Sequence, residues 1–274
     1  MARLSINQAW NETAEFVKRD FGPLFAISLA LILLPNFALQ ALGPAEPGAA
    51  AGGRIALWLL LLVVALVSSL VGTLAITLLA LGRENVVGSA LRQALRRLPP
   101  ILGAVLLVGA AAAALVVVLI LLLHITPETL SAPTPANLGR MTLLLVLVTI
   151  ILLPFWVKLM LMTPVAAAEP AGPLRIVARS WELSRGQFLK LLGFTLVLVI
   201  VLGIAVMAVG SVIGILVTLV LGAPHPGNLS ELLILLARGV INAAFSVVFT
   251  TMVARVYVQL AGSAAPGPEA ARGS

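Results

Sequence analysis

Residues 55–81 carry no charged side chain over a stretch longer than the roughly 20 residues that a helix needs to cross a bilayer. Similar apolar runs lie at about 21–42, 55–82, 101–124, 141–163, 189–221 and 232–257. A lipid-immersed backbone must satisfy its own polar groups, so these runs predict an all-α polytopic membrane protein with six transmembrane helices over residues 1–261. The Pro- and Gly-containing remainder, 262–274, has too little to bury and is read as a disordered tail. At 61% apolar and 10% charged, the chain lies well outside the soluble range.

The 17 Lys and Arg against 10 Asp and Glu would suggest nucleic acid in a soluble chain. In a polytopic one they are first a topology signal, and no nucleic-acid partner is expected. Arg3, Lys18, Arg19, Arg83, Arg92, Arg96, Arg97, Arg175, Arg179, Arg185, Lys190, Arg255 and Arg272 fall on one side of the six runs. Only Arg54, Arg140 and Arg238 fall on the other, which places both termini in the cytoplasm of a cell with an inner plasma membrane. Glu12, Glu15 and Asp20 make the first 20 residues too acidic for a cleaved leader, so the N-terminus is expected to be retained. The opposite connections, rich in Pro and Gly, read as plain turns.

The three basic segments each read as a short amphipathic helix at the cytoplasmic interface. Their apolar stripes are Ile6, Ala9, Trp10 and Thr13; Val87, Ala90, Leu91 and Ala94; and Leu174, Val177, Ala178 and Trp181. Superposed in that register, they give three cytoplasmic interfacial amphipathic helices and imply a threefold internal repeat of one helix followed by two spans. Within the spans, Gly203, Gly210 and Gly214 share a face, as do Ala65, Ser69 and Gly72, and both sets predict close helix contacts. Pro35 and Pro154 predict kinks, while Asn36, Gln40 and Asn242 are expected to bond to neighbouring helices.

Chemistry is narrowed by what is missing. Asp20 is the sole aspartate, so paired-aspartate proteolysis and multi-aspartate metal sites are excluded. His124 and His225 are the only histidines, neither opens an H-E-x-x-H pattern, and there is no cysteine. Ser211 lacks the nucleophile-elbow spacing, and no phosphate-binding GK[ST] loop occurs. No catalytic residue, metal or cofactor is expected. What remains is a cationic rim for anionic lipid headgroups: Arg92, Arg96, Arg175, Arg179, Arg185 and Lys190, with Trp181 at headgroup level. Lys158, about five residues inside the fourth span, lies within snorkelling reach of that rim.

Pro164, Glu169, Gly172, Pro173, Arg179, Ser180, Trp181, Leu183, Ser184, Arg185, Gly186 and Phe188 form a pattern that resembles the bacterial glycerophosphoryl diester phosphodiesterase membrane-domain family. The resemblance implies a six-span membrane domain that stands alone here. The two isolated histidines, without a His-Arg-Gly motif, cannot supply the soluble phosphodiesterase of the fused relatives. The expectation is a non-enzymatic inner-membrane protein that handles lipid or scaffolds a membrane or cytoplasmic protein partner. The alternative is a permease-like transport component working with a separate ATPase.

Overall fold

A computed structural model describes residues 6–42, 52–84, 86–126, 134–225 and 227–264. The turn-like connections over 43–51 and 127–133, and the tail beyond residue 264, lie outside the described residues. All regular structure among the described residues is helical. In chain order the helices are α1 (Ile6–Ser28), α2 (Leu34–Ala41), α3 (Gly52–Ala80), α4 (Val87–Leu122), α5 (Pro135–Leu159), α6 (Met162–Ala168), α7 (Pro173–Ser184), α8 (Phe188–Leu221) and α9 (Leu229–Ala264). Six helical stretches are long and apolar enough to cross a membrane, as expected of a multi-pass membrane protein.

The first span is reached through two distortions with evident causes. Asp20 leaves helical geometry at φ −113° and ψ 20°, so the polar N-terminal part of α1 bends before entering the apolar part. Leu29–Leu33 then forms a π-helical turn just ahead of Pro35, whose ring cannot supply the next backbone N–H. The Asn36 amide spans this irregularity, donating to the Ile32 carbonyl at 2.7 Å and to Ser69 Oγ of α3 at 3.0 Å. The expected role of Asn36 in joining helices is therefore met. Gln40 instead donates to the Asn36 carbonyl of its own helix.

The second basic segment and the third span form one continuous helix, α4, through Pro99 and Pro100. The carbonyls these prolines leave free belong to Leu95 and Arg96, which are exposed, so the helix runs on through them. Ala90, Ala94, Ile101 and Ala104 form its buried face. The third segment is a separate helix, α7, and its buried face differs from the stripe read from the sequence. Ile176, Ser180, Leu183 and Ser184 are buried, whereas Leu174 and Ala178 are exposed.

Phe16 meets Arg255, Glu169 meets Tyr257 and Arg179, and Lys158 meets Trp181, so the basic segments gather at one end of the bundle. The core is concentrated there too, around Leu24, Leu74, Ile76, Leu78, Ile101, Leu161, Ile176, Leu191 and Met252. The glycines that permit close approach are not all those the spacing suggests. A Cβ on Gly103 would lie 2.9 Å from Pro173 Cγ, and one on Gly72 would lie 3.1 Å from Leu31 Cβ. Cβ atoms on Gly203, Gly210 and Gly214 would meet nothing within 4 Å, so that face carries no close helix contact among the described residues. Gly210 and Gly214 instead line an open groove of about 900 Å3 between α8 and α9.

Candidate functional site

The end of α5 sets the geometry of the charged end. A helix terminus leaves its last carbonyls without intrahelical donors, and the Lys158 carbonyl is one of them. Ser180 and Ser184, one turn apart on α7, both donate to it, at 2.7 and 3.0 Å. The single Ser184 hydroxyl proton is shared between that carbonyl and the Ser180 carbonyl, 2.7 Å away. Both serines are fully buried, so they fix the angle of α7 by bonds that water cannot replace. After Ser184 the chain turns at Arg185 and Gly186, the latter at φ +81°, a backbone region that favours glycine, and enters α8.

The Lys158 side chain also reaches α7. Its ammonium lies 3.7 Å from the Trp181 ring centroid and 5.5 Å from that of Phe188. Trp181 also packs on Phe155 with centroids 5.7 Å apart. An ammonium held between two aromatic faces is satisfied without a carboxylate. Trp181 is thus engaged by Lys158 and Phe155 of α5 rather than standing free at the surface.

Arg179 is likewise engaged. Its Nε lies 3.4 Å from Glu169 Oε1, and its Nη1 lies 3.3 Å from Glu182 Oε2. The Tyr257 hydroxyl of α9 donates to the same Glu169 oxygen at 3.1 Å, so Glu169 ties α7 to α9. Burial by itself would lower the Arg179 pKa, but the hydrogen bonds and charges of Glu182 and Glu169 outweigh it and hold the group above the ordinary arginine value. Glu169, Ser180 and Ser184 are the functional partners that charge counting missed; the i,i+4 serines beside a helix end were the available signal.

The other cations of the rim stand differently. Arg92 and Arg96 are exposed on α4, on the side away from buried Ala90 and Ala94. Arg175, Arg185 and Lys190 are exposed on α7, on the turn after it and in the first turn of α8. None of these five side chains makes a hydrogen bond or ion pair among the described residues. Arg175 and Arg179 line a shallow groove of about 650 Å3 with Glu169 and Glu182, while Arg92 and Arg96 lie outside it.

Of the two histidines, His124 closes α4 with φ 50°, its Nδ1 3.2 Å from the Leu122 carbonyl. His225 lies in the turn before α9, its Nδ1 2.9 Å from the Ala223 carbonyl. Among the described residues no group of three potential metal ligands comes together. The arrangement can attract anions at its rim and lock helices beneath it. Comparison with curated proteins finds no match, and comparison with solved structures finds none either. A family model described as "Domain of unknown function (DUF7847)" matches residues 4–260, and the chain belongs to that family.

Proposed function

We propose that the protein is a non-enzymatic integral protein of the bacterial inner membrane, with both termini in the cytoplasm, that gathers anionic phospholipid along a basic rim. The observation that carries this reading is the set of five exposed cations without partners among the described residues, Arg92, Arg96, Arg175, Arg185 and Lys190, at the end of the bundle where the spans begin. Each such cation contributes about 1 kcal/mol beside a charged leaflet. Arg179 and Trp181 support the rim from within, because their partners are Glu169, Glu182 and Lys158. The proposed relation to the glycerophosphoryl diester phosphodiesterase membrane domains is one of architecture, with a threefold repeat of interfacial helix and span pair, and carries no phosphodiesterase activity with it.

Native mass spectrometry of the detergent-extracted protein tests this. Phosphatidylglycerol should be retained, and the triple variant Arg175→Ala, Arg185→Ala, Lys190→Ala should lose most of it at unchanged melting temperature. Undiminished retention in that variant would overturn the rim. Reporter fusions after residues 48, 133 and 225 should all read as non-cytoplasmic; a cytoplasmic signal at any of them refutes the orientation.

A further inference from the structure

A second feature of the charged end involves none of the five rim cations. Between α1, the turn joining α3 to α4, and α9 lies a cavity of about 480 Å3, with Leu24 in its apolar wall and Arg19, Asp20, Glu84 and Arg255 among its lining. Arg19 and Asp20 satisfy each other, with Nε and Nη2 at 3.0 and 2.9 Å from one carboxylate oxygen. Arg255 and Glu84 do not pair. The Arg255 guanidinium stands 5.2 Å from the Phe16 ring centroid, and its buried Nε has no hydrogen-bond partner. Glu84 is half-buried and makes no hydrogen bond or ion pair among the described residues.

The two charges ride on separate elements. Glu84 rides on a tight turn fixed by Gly82 N donating to the Leu79 carbonyl at 3.0 Å and Arg83 N donating to the Leu78 carbonyl at 3.1 Å. Arg255 rides on α9, and its guanidinium lies over Phe16 of α1. The guanidinium lines the cavity and makes no hydrogen bond or ion pair among the described residues, so an acceptor placed there would meet unpaired donors. A simple anion is disfavoured, because Asp20 and Glu84 line the cavity and Glu12 and Glu15 line an adjoining one that Arg255 also borders. A simple cation would leave the guanidinium unsatisfied. A group carrying a phosphate and a primary ammonium a few bonds apart meets both demands: the guanidinium fork takes two phosphate oxygens, and the ammonium donates to Glu84.

We propose that this cavity binds an aminophosphate zwitterion of the phosphoethanolamine class, with the phosphate on Arg255 and the ammonium on Glu84. The site does not depend on the anionic rim, and its test separates the two. The full-length protein in detergent is offered phosphatidylethanolamine, phosphatidylcholine and phosphatidylglycerol of identical chains, and the retained lipid is weighed by native mass spectrometry. Phosphatidylethanolamine should exceed phosphatidylcholine by about tenfold, since a quaternary ammonium has no N–H to give Glu84. Arg255→Gln should abolish that excess. Glu84→Gln, a near-isosteric change, should abolish it too while leaving phosphatidylglycerol on the rim. Displacement by millimolar free phosphoethanolamine would support a site for the headgroup alone, and competition confined to the lipid would support one for the whole lipid. Equal retention of the two zwitterionic lipids by the wild type, or an excess that survives Glu84→Gln, overturns the proposal.

Discussion

The two ends of the bundle are built from similarly apolar sequence and packed in opposite ways. Toward the charged end, nine large apolar side chains from Leu24 to Met252 are almost fully buried, and Ser180, Ser184 and Glu169 lock helices to one another. Toward the other end, among the described residues, α5 buries nothing ahead of Val157, α8 nothing after Leu198, and α4 only Leu119 after Ala104. The densest apolar windows of α4, α5 and α8 are each just 6% buried, against 33% for the second span. Lipid tails are as apolar as leucine, so apolar content gives a helix no reason to prefer protein to hydrocarbon. Protein-on-protein packing concentrates instead where small residues allow backbones to approach and polar groups require partners.

The sharpest way to break this contrast is to remove the polar lock. Ser180→Ala with Ser184→Ala strips both hydroxyls from the Lys158 carbonyl at a fully buried position, and the cost should be about 3 kcal/mol. Thermal unfolding in detergent should show a clear fall in melting temperature. A double change of Thr142 and Thr218 to alanine, at exposed hydroxyls that only bond back to their own helices, should leave it nearly unchanged. A small effect at the serines would mean that α7 is positioned by its apolar contacts alone.

Next in size is a comparison of glycines. Gly103→Ala drives a methyl against the Pro173 ring, which is tethered to its own backbone and cannot swing aside, so about 1–2 kcal/mol should be lost. Gly210→Ala meets open space, and the better helix propensity of alanine should make it neutral or stabilising by about 0.5 kcal/mol. Melting both variants side by side checks the pair. Equal losses would show that the α8 face with Gly210 and Gly214 is occupied after all.

These contrasts also show what the sequence could and could not disclose. The spans were legible because a long uncharged run has one stable form in a bilayer: the fifth, read as 189–221, is the helix Phe188–Leu221. Sharing of a glycine face was legible as well, but not whether another helix lies against it. That depends on partners far along the chain. The face of α7 was misassigned for the same reason. Hydrophobicity favours Leu174, Val177, Ala178 and Trp181, whereas the buried pair Ser180 and Ser184 answers a carbonyl 22 and 26 residues away. At the rim, charge counting found every cation but could not tell Arg179, held by two carboxylates, from Arg175 and Arg185, which have none among the described residues. An ion pair ten residues apart, such as Arg179 with Glu169, has no periodic signature.

The smallest expected effect concerns the far end, where packing contributes little and local backbone geometry is left to decide. His124 holds φ 50° where α4 stops, a left-handed conformation in which its Cβ crowds the following carbonyl. The geometry closes the helix end: the Ile125 N–H reaches the Ile120 carbonyl at 3.0 Å, and the His124 N–H reaches the Leu121 carbonyl at 3.2 Å. Glycine would make both bonds without the steric cost, although its extra freedom in the unfolded chain offsets part of the gain. His124→Gly should therefore stabilise by about 0.5 kcal/mol, read as a small rise in melting temperature. His124→Val, a β-branched side chain in the same conformation, should lower it. If instead His124→Gly is destabilising, the imidazole at the Leu122 carbonyl does more than its 3.2 Å contact implies, and this end of the bundle is better tied than its exposure indicates.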